Sequence, residues 1–254
     1  MSMMEADWNS NCPESMLNVV RQLNVGKSQL GRRKLRLFAC ACIRNWWDDL
    51  NSESREALEI TQRYAIGNAT RTEFGKAQRI ARYDFGNVSD PLSLEDTLNR
   101  HTVNGATNWL TSGAEIAGFR IGQHLRAVAS IHSNDKLVRE TERQVVLLHE
   151  VFGTPTNPTS IDPDWLLWNN GAISKLASEL YTDPQSGNYA QLWLQLKLAG
   201  CDEHALLDHC LSPHSHVVGC WLLDALLGLH WPKRKGQNNH GMHTAHSIKR
   251  FYLH

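Results

Sequence analysis

Apolar residues return every three or four positions along most of this chain, the spacing of a helix with one buried face. Leu35, Phe38, Cys42, Trp46 and Leu50 trace one such stripe, while Leu37, Cys40 and Trp47 lie off it and predict contacts on two sides. Ala57, Ile60, Thr61 and Tyr64 form a second, which stops at Gly67, a residue type suited to a left-handed helix end. Thr70-Arg71-Thr72-Glu73 has the spacing of a capping box and opens a helix carrying Phe74, Ala77 and Ala81. A turn-rich linker over Asp84–Pro91 leads to a further helix start at Ser93-Leu94-Glu95-Asp96. Ala114, Ala117, Ile121, Leu125 and Val128 keep helical spacing, although Gly105, Gly113, Gly118 and Gly122 each weaken a helix by roughly 1 kcal/mol relative to alanine. Val138, Thr141, Val145, Leu148 and Phe152 make the next stripe, which leaves Arg139, Glu140, Glu142 and Arg143 outside it.

Pro155, Pro158 and Pro163 stiffen residues 153–164 into a connector. Beyond it, Ile173, Leu176, Ala177, Leu180 and Tyr181 share a helical face, and residues 190–199, apolar nearly all round, predict a buried helix. Gly200 closes that helix, and Asp202 is placed to cap a short one ending near Leu211. Residues 217–229 hold a single charge, Asp224, and predict a core helix too short to cross a membrane. No period-two alternation and no fixed repeat competes with this reading. The pattern therefore predicts an all-α protein of nine or ten helices in a bundle-like array. Its N-terminal half is 1–152, its connector 153–164, its C-terminal half 165–229, and 230–254 is a disordered tail.

The formal net charge of zero conceals an asymmetry. Lys233, Arg234, Lys235, Lys249 and Arg250 stand in the tail without an acid, so the remainder holds 21 basic against 26 acidic side chains. Such a balance disfavours a nucleic-acid binder, because the tail's charges are too few for a strong phosphate footprint. Residues 1–13 carry Glu5 and Asp7 without a basic residue, unlike a secretory signal, and no apolar run has membrane-spanning length. Six cysteines in a chain that can build its own core suggest reduced thiols and a cytoplasmic location.

Several segments form a recognisable set: Arg33-Lys-Leu-Arg-Leu-Phe-Ala-Cys-Ala-Cys42, Gln62-Arg63-Tyr64-Ala65, Phe152-Gly153, Asp162-Pro163-Asp164-Trp165-Leu166 and Ala199-Gly200-Cys201-Asp202. His209-Cys210, His216-Val-Val-Gly-Cys-Trp221, Leu222-Leu223-Asp224 and Leu226-Leu227-Gly228 complete it. Together, over about residues 7–228, they resemble a large uncharacterised family from planctomycete bacteria. The resemblance implies kinship and no reaction. The segment 84–130 departs from the alanine-rich character of the family, and the chain after Gly228 is an extension beyond it.

Cys201, His209, Cys210, His216 and Cys220 concentrate metal-ligand chemistry near the C-terminus, with His204 and His214 alongside. Zinc takes four thiolate or imidazole ligands in a tetrahedron, and Cys201, Cys210, His216 and Cys220 make a chemically suitable set. Against it, no close cysteine pair fixes two ligands on one turn, and buried cysteines also simply pack. A Cys–His nucleophile built on Cys220 or Cys210 with His216 or His209 would need an exposed thiolate, which apolar surroundings oppose. Cys40 and Cys42 point to nearly opposite sides of a helix and suit packing better than a mutual disulfide. Asp224 calls for a buried basic partner such as Arg36 or Arg44. Of the nine tryptophans, Trp165 and Trp168 are the candidates for an exposed interaction surface. No catalytic residue is assigned. The leading expectation is a non-enzymatic interaction or scaffold module that binds another protein. The alternatives are a zinc-stabilised helical domain and an enzyme with a Cys/His site.

Overall fold

The computed structural model describes residues 2–83 and 103–229, and the described residues contain twelve α-helices, ten of them seven residues or longer, and no strand. The linker at 84–91, the helix start at 93–96 and the tail at 230–254 lie outside the described residues. No helix among the described residues is long and apolar enough to cross a membrane.

The helix α1 (Met3–Trp8) and α2 (Pro13–Gln22) lead to α3 (Gln29–Arg44), around which the N-terminal unit is built. Ser28 starts α3 by accepting the Gly31 amide at 2.8 Å, satisfying a donor that a helix start leaves free. Both predicted faces of α3 are buried: Leu35, Phe38 and Cys42 on the stripe, Leu37 and Cys40 off it. The helix ends at Arg44 instead of running to Leu50, and a 3₁₀ turn at Trp47–Asp49 follows. At that turn the Trp46 indole donates to Glu140 at 3.1 Å. Next come α4 (Ser52–Ala65), α5 (Arg71–Tyr83), helical residues 103–110 (α6), α7 (Ala114–His132) and α8 (Asn134–Phe152). The capping box at Thr70 forms, with the Glu73 amide on Thr70 Oγ1 at 3.2 Å and the Thr70 amide on Glu73 at 2.8 Å. Gly118 has a packing reason to sit inside α7: a Cβ there would meet Leu35 Cδ2 at 2.6 Å, so glycine lets α3 and α7 approach closely.

On α8 the stripe is rotated from the predicted one. Val138 is 45% exposed whereas Glu140 is buried. Glu140 is tolerated inside because Trp46 and Gln144 both donate to its carboxylate, and Arg126 of α7 donates to Gln144.

The C-terminal unit comprises α9 (Pro163–Thr182), α10 (Tyr189–Leu198), α11 (His204–Cys210) and α12 (Trp221–Leu226). The backbone of α9 leaves the right-handed helix at Trp168–Gly171, with positive φ at Asn169, Asn170 and Gly171. Only one side of α10 is covered: Tyr189, Leu192 and Leu196 face inward, while Leu194 and Leu198 remain 41% and 55% exposed. Residues 190–199 are thus a surface helix and not a wholly buried one, since α9 and α11 pack against a single flank. Glu203, not Asp202, occupies the N-cap of α11 and makes no side-chain cap bond. The core helix expected over 217–229 shrinks to six residues, because Gly219 at φ +97 and Gly228 at φ +76 interrupt right-handed geometry on either side.

Two main apolar clusters result, one drawn from residues between Trp8 and Phe152, the other from residues between Trp165 and Leu226. A small satellite of Ala57, Ile60, Ala77 and Ala81 joins α4 to α5. The two main clusters meet where α12 approaches α3 and the end of α8. There a Cβ on Gly219 would lie 2.7 Å from Leu37 Cδ1, and one on Gly153 would lie 2.8 Å from Trp221 Cδ2. Asp224 accepts Arg33 at 2.9 Å and Lys34 at 2.7 Å across the same boundary. Arg36 instead donates to the Leu110 and Ser112 carbonyls, and Arg44 pairs with Glu59, so the basic partner expected for Asp224 is corrected to its neighbours on α3.

Candidate metal centre

Four side chains from separate parts of the chain converge at this boundary. Glu150 comes from the last turn of α8, His209 from the last turn of α11, His216 from the loop after it, and Cys220 from the residue that opens α12. One donor atom from each lies within 4.8 Å of all the others. His209 Nε2 is 3.1 Å from Cys220 Sγ and 3.3 Å from Glu150 Oε2, and His216 Nδ1 is 3.1 Å from Glu150 Oε1. Corners of a tetrahedral zinc site with bonds of about 2.0–2.3 Å stand roughly 3.3–3.8 Å apart, close to the three separations above and inside the 4.8 Å that spans the group.

Local structure holds each group. The His216 ring stacks on Tyr189 with centroids 3.5 Å apart, and its carbonyl accepts the Gln185 amide. His209 Nδ1 accepts the Trp221 indole N–H at 3.2 Å, which places the proton of the neutral ring on Nε2, toward Glu150 and Cys220. Glu150 also accepts the Val217 amide at 3.3 Å. An acid at a helix C-terminus opposes the dipole, and these donors from the C-terminal unit compensate it.

The electrostatics follow from burial and pairing. Burial pushes the Glu150 carboxyl upward, but the His216 hydrogen bond and the His209 and His216 rings outweigh it and hold the group below its usual range. Burial takes His209 down to about 4 despite the attraction of Glu150. Burial first, and then Glu150, lifts the Cys220 thiol well above its ordinary value. At neutral pH the group therefore contains an ionised Glu150, a neutral His209 and a protonated Cys220. Two chemistries suit it: a hydrogen-bonded tie between the units, or coordination of a divalent cation, with Glu150 and a Cys220 thiolate supplying two negative charges. Nucleophilic chemistry finds little support, since Cys220 is fully buried and its thiol is stabilised against ionisation.

Of the ligands expected from sequence, the fold brings His216 and Cys220 together and leaves Cys201 and Cys210 outside the group. Those two pack in the C-terminal apolar cluster, where burial pushes Cys210 up to about 12. His204 and His214 are exposed. Cys40 and Cys42 are buried in the N-terminal core, and all six cysteines are free. Trp168 is 40% exposed as expected, but Trp165 is buried in the second core. Glu150 escaped the sequence reading. Its signal was an acid in the last helical turn of α8, beside the apolar Leu147, Leu148 and Val151. An open cleft of about 310 Å³ borders the group, with Tyr189, Cys210 and His216 in its wall beside Gln185, Ser212 and His214. A scan against protein-family models finds no match, and neither the comparison with curated proteins nor that with solved structures finds one.

Proposed function

We propose that the chain is a non-enzymatic helical module whose C-terminal unit is fastened to its N-terminal unit by a zinc ion held by Glu150, His209, His216 and Cys220. The observation that carries this reading is the convergence of their four donor atoms within 4.8 Å, at a buried boundary between two cores. The donor set suits zinc, being one carboxylate, one sulfur and two imidazoles. His216 stands between the group and the cleft, which supplies a route from solvent. Structural zinc is worth roughly 10–16 kcal/mol in small metal-folded peptides, against which stand ionisation of the buried Cys220 thiol and the exchange of hydrogen bonds worth about 1 kcal/mol each. Zinc titration of the untagged chain, read by competition with a chromophoric chelator, should saturate at one equivalent and raise the thermal midpoint. Cys220→Ala and His216→Ala should abolish both effects. Absence of saturable uptake by the wild type defeats the reading.

The interaction-module reading has its own observation. Leu167 is 73% exposed beside the half-exposed Trp168, at the start of the left-handed turn in α9. Such a pair suits a protein partner, a second copy of this chain included. Sedimentation velocity tests that case: self-association in the wild type that Leu167→Ser with Trp168→Ser removes supports it, and unchanged association argues against it.

A further inference from the structure

A histidine that ligates a metal normally donates its other ring N–H to an acceptor, which fixes the ring and raises its basicity. His209 reverses this arrangement. Its outer nitrogen, Nδ1, faces the indole N–H of Trp221 at 3.2 Å, and an indole N–H can only donate. Its inner nitrogen, Nε2, is the one that faces Cys220 and Glu150. An imidazole that gives the Nε2 lone pair to a cation carries its remaining proton on Nδ1, and that proton would point at the indole proton. The indole ring lies against Gly153, where a Cβ would stand 2.8 Å from it, so it cannot move further toward that side.

We infer that Trp221 is a positioning residue that opposes cation binding at His209, making the centre an exchangeable zinc site coupled to the seating of α12 and not a permanently filled one. The inference rests on the zinc reading above and adds its regulation. Occupancy requires Trp221 to give up its bond to His209. Because Trp221 is the first residue of α12, the ion and the seating of that helix are linked. By reciprocity, whatever loosens Trp221 tightens zinc binding, and zinc loosens Trp221.

The test compares the full-length wild type with W221F, which keeps an aromatic ring against Gly153 and removes the donor. W221F should bind zinc about five- to tenfold tighter in chelator competition, the equivalent of roughly one hydrogen bond. In the wild type, the indole N–H resonance that W221F lacks should shift when zinc is added. This second measurement needs no variant to bind and holds if W221F folds poorly. Equal or weaker zinc binding by W221F, or an indole resonance unmoved in zinc-saturated wild type, overturns the inference while leaving the zinc reading intact. Zinc uptake by W221F where the wild type takes up none would support the inference and confine the zinc reading to the variant. Uptake by neither overturns both.

Discussion

The two units of this protein solve the same problem with different means. The N-terminal unit rests on long helices, 16 residues in α3 and 19 each in α7 and α8, which enclose a continuous apolar core. In the C-terminal unit the last three helices have 10, 7 and 6 residues. Helices that short are marginal in isolation and depend on tertiary contacts. Their contacts to the N-terminal unit combine polar ties, Asp224 with Arg33 and Lys34 and the Glu150 group, with two close apolar approaches at Gly219 and Gly153. Where apolar stripes are long, a continuous core carries the structure, with the Glu140 network buried inside it. Where they are short, charge pairs and the hydrogen-bonded Glu150 group supplement a second apolar cluster.

The sharpest way to break this contrast is to remove Asp224. Lys34 is almost wholly buried, and burial already pulls its ammonium below its ordinary value against the attraction of Asp224. Asp224→Ala leaves that charge without its carboxylate and should cost about 3–5 kcal/mol in urea denaturation. Hydrogen exchange should show the loss of protection centred on α11 and α12. Lys34→Met with Asp224→Leu, which removes the more deeply buried of the two cations with its carboxylate, should recover part of the loss, since Arg33 also loses Asp224. If the single variant costs less than the N-terminal cap change below, the polar boundary is not what seats α12.

A smaller effect is expected at Gly219. Its φ of +97 and the 2.7 Å approach of a Cβ to Leu37 both penalise alanine, by about 1–3 kcal/mol together. Truncating Leu37 in addition should relieve only the steric share, so a thermal-melt double-mutant cycle separates backbone strain from packing.

Ser28→Ala in the N-terminal unit marks the low end. Losing the cap of α3 should cost about 1 kcal/mol, measured by the same denaturation, and should leave zinc uptake unchanged. A larger loss that also weakens zinc binding would show the two units to be more tightly coupled than their separate cores suggest.

The parts of the fold legible in the sequence are those governed by local periodicity. Phe38 and Cys42, Ala57 and Thr61, and Ile121 and Leu125 all point inward as their spacing predicts, because one buried side of a helix imposes that spacing directly. The capping box at Thr70 was equally legible, being contained within four residues. Lengths and faces were less so at the C-terminal end. Residues 190–199 carry enough apolar side chains for a buried helix, yet Leu194 and Leu198 stay exposed because, among the described residues, α9 and α11 pack on the other flank. The stretch 217–229 reads as one helix until Gly219 takes a left-handed backbone to clear Leu37.

The candidate centre divides in the same way. Sequence alone determined its chemistry, in that histidines and cysteines crowd between residues 201 and 220, and it pointed to His216 and Cys220. Only the tertiary structure decided the membership. It turned Cys201 and Cys210 into an apolar cluster and brought His209 into the group with Glu150. The reason is that ligand choice depends on how α8 lies against α11 and the start of α12. That arrangement is set by residues far apart in the chain, among them Lys34, Asp224, Gly153 and Trp221, and helical periodicity does not encode it.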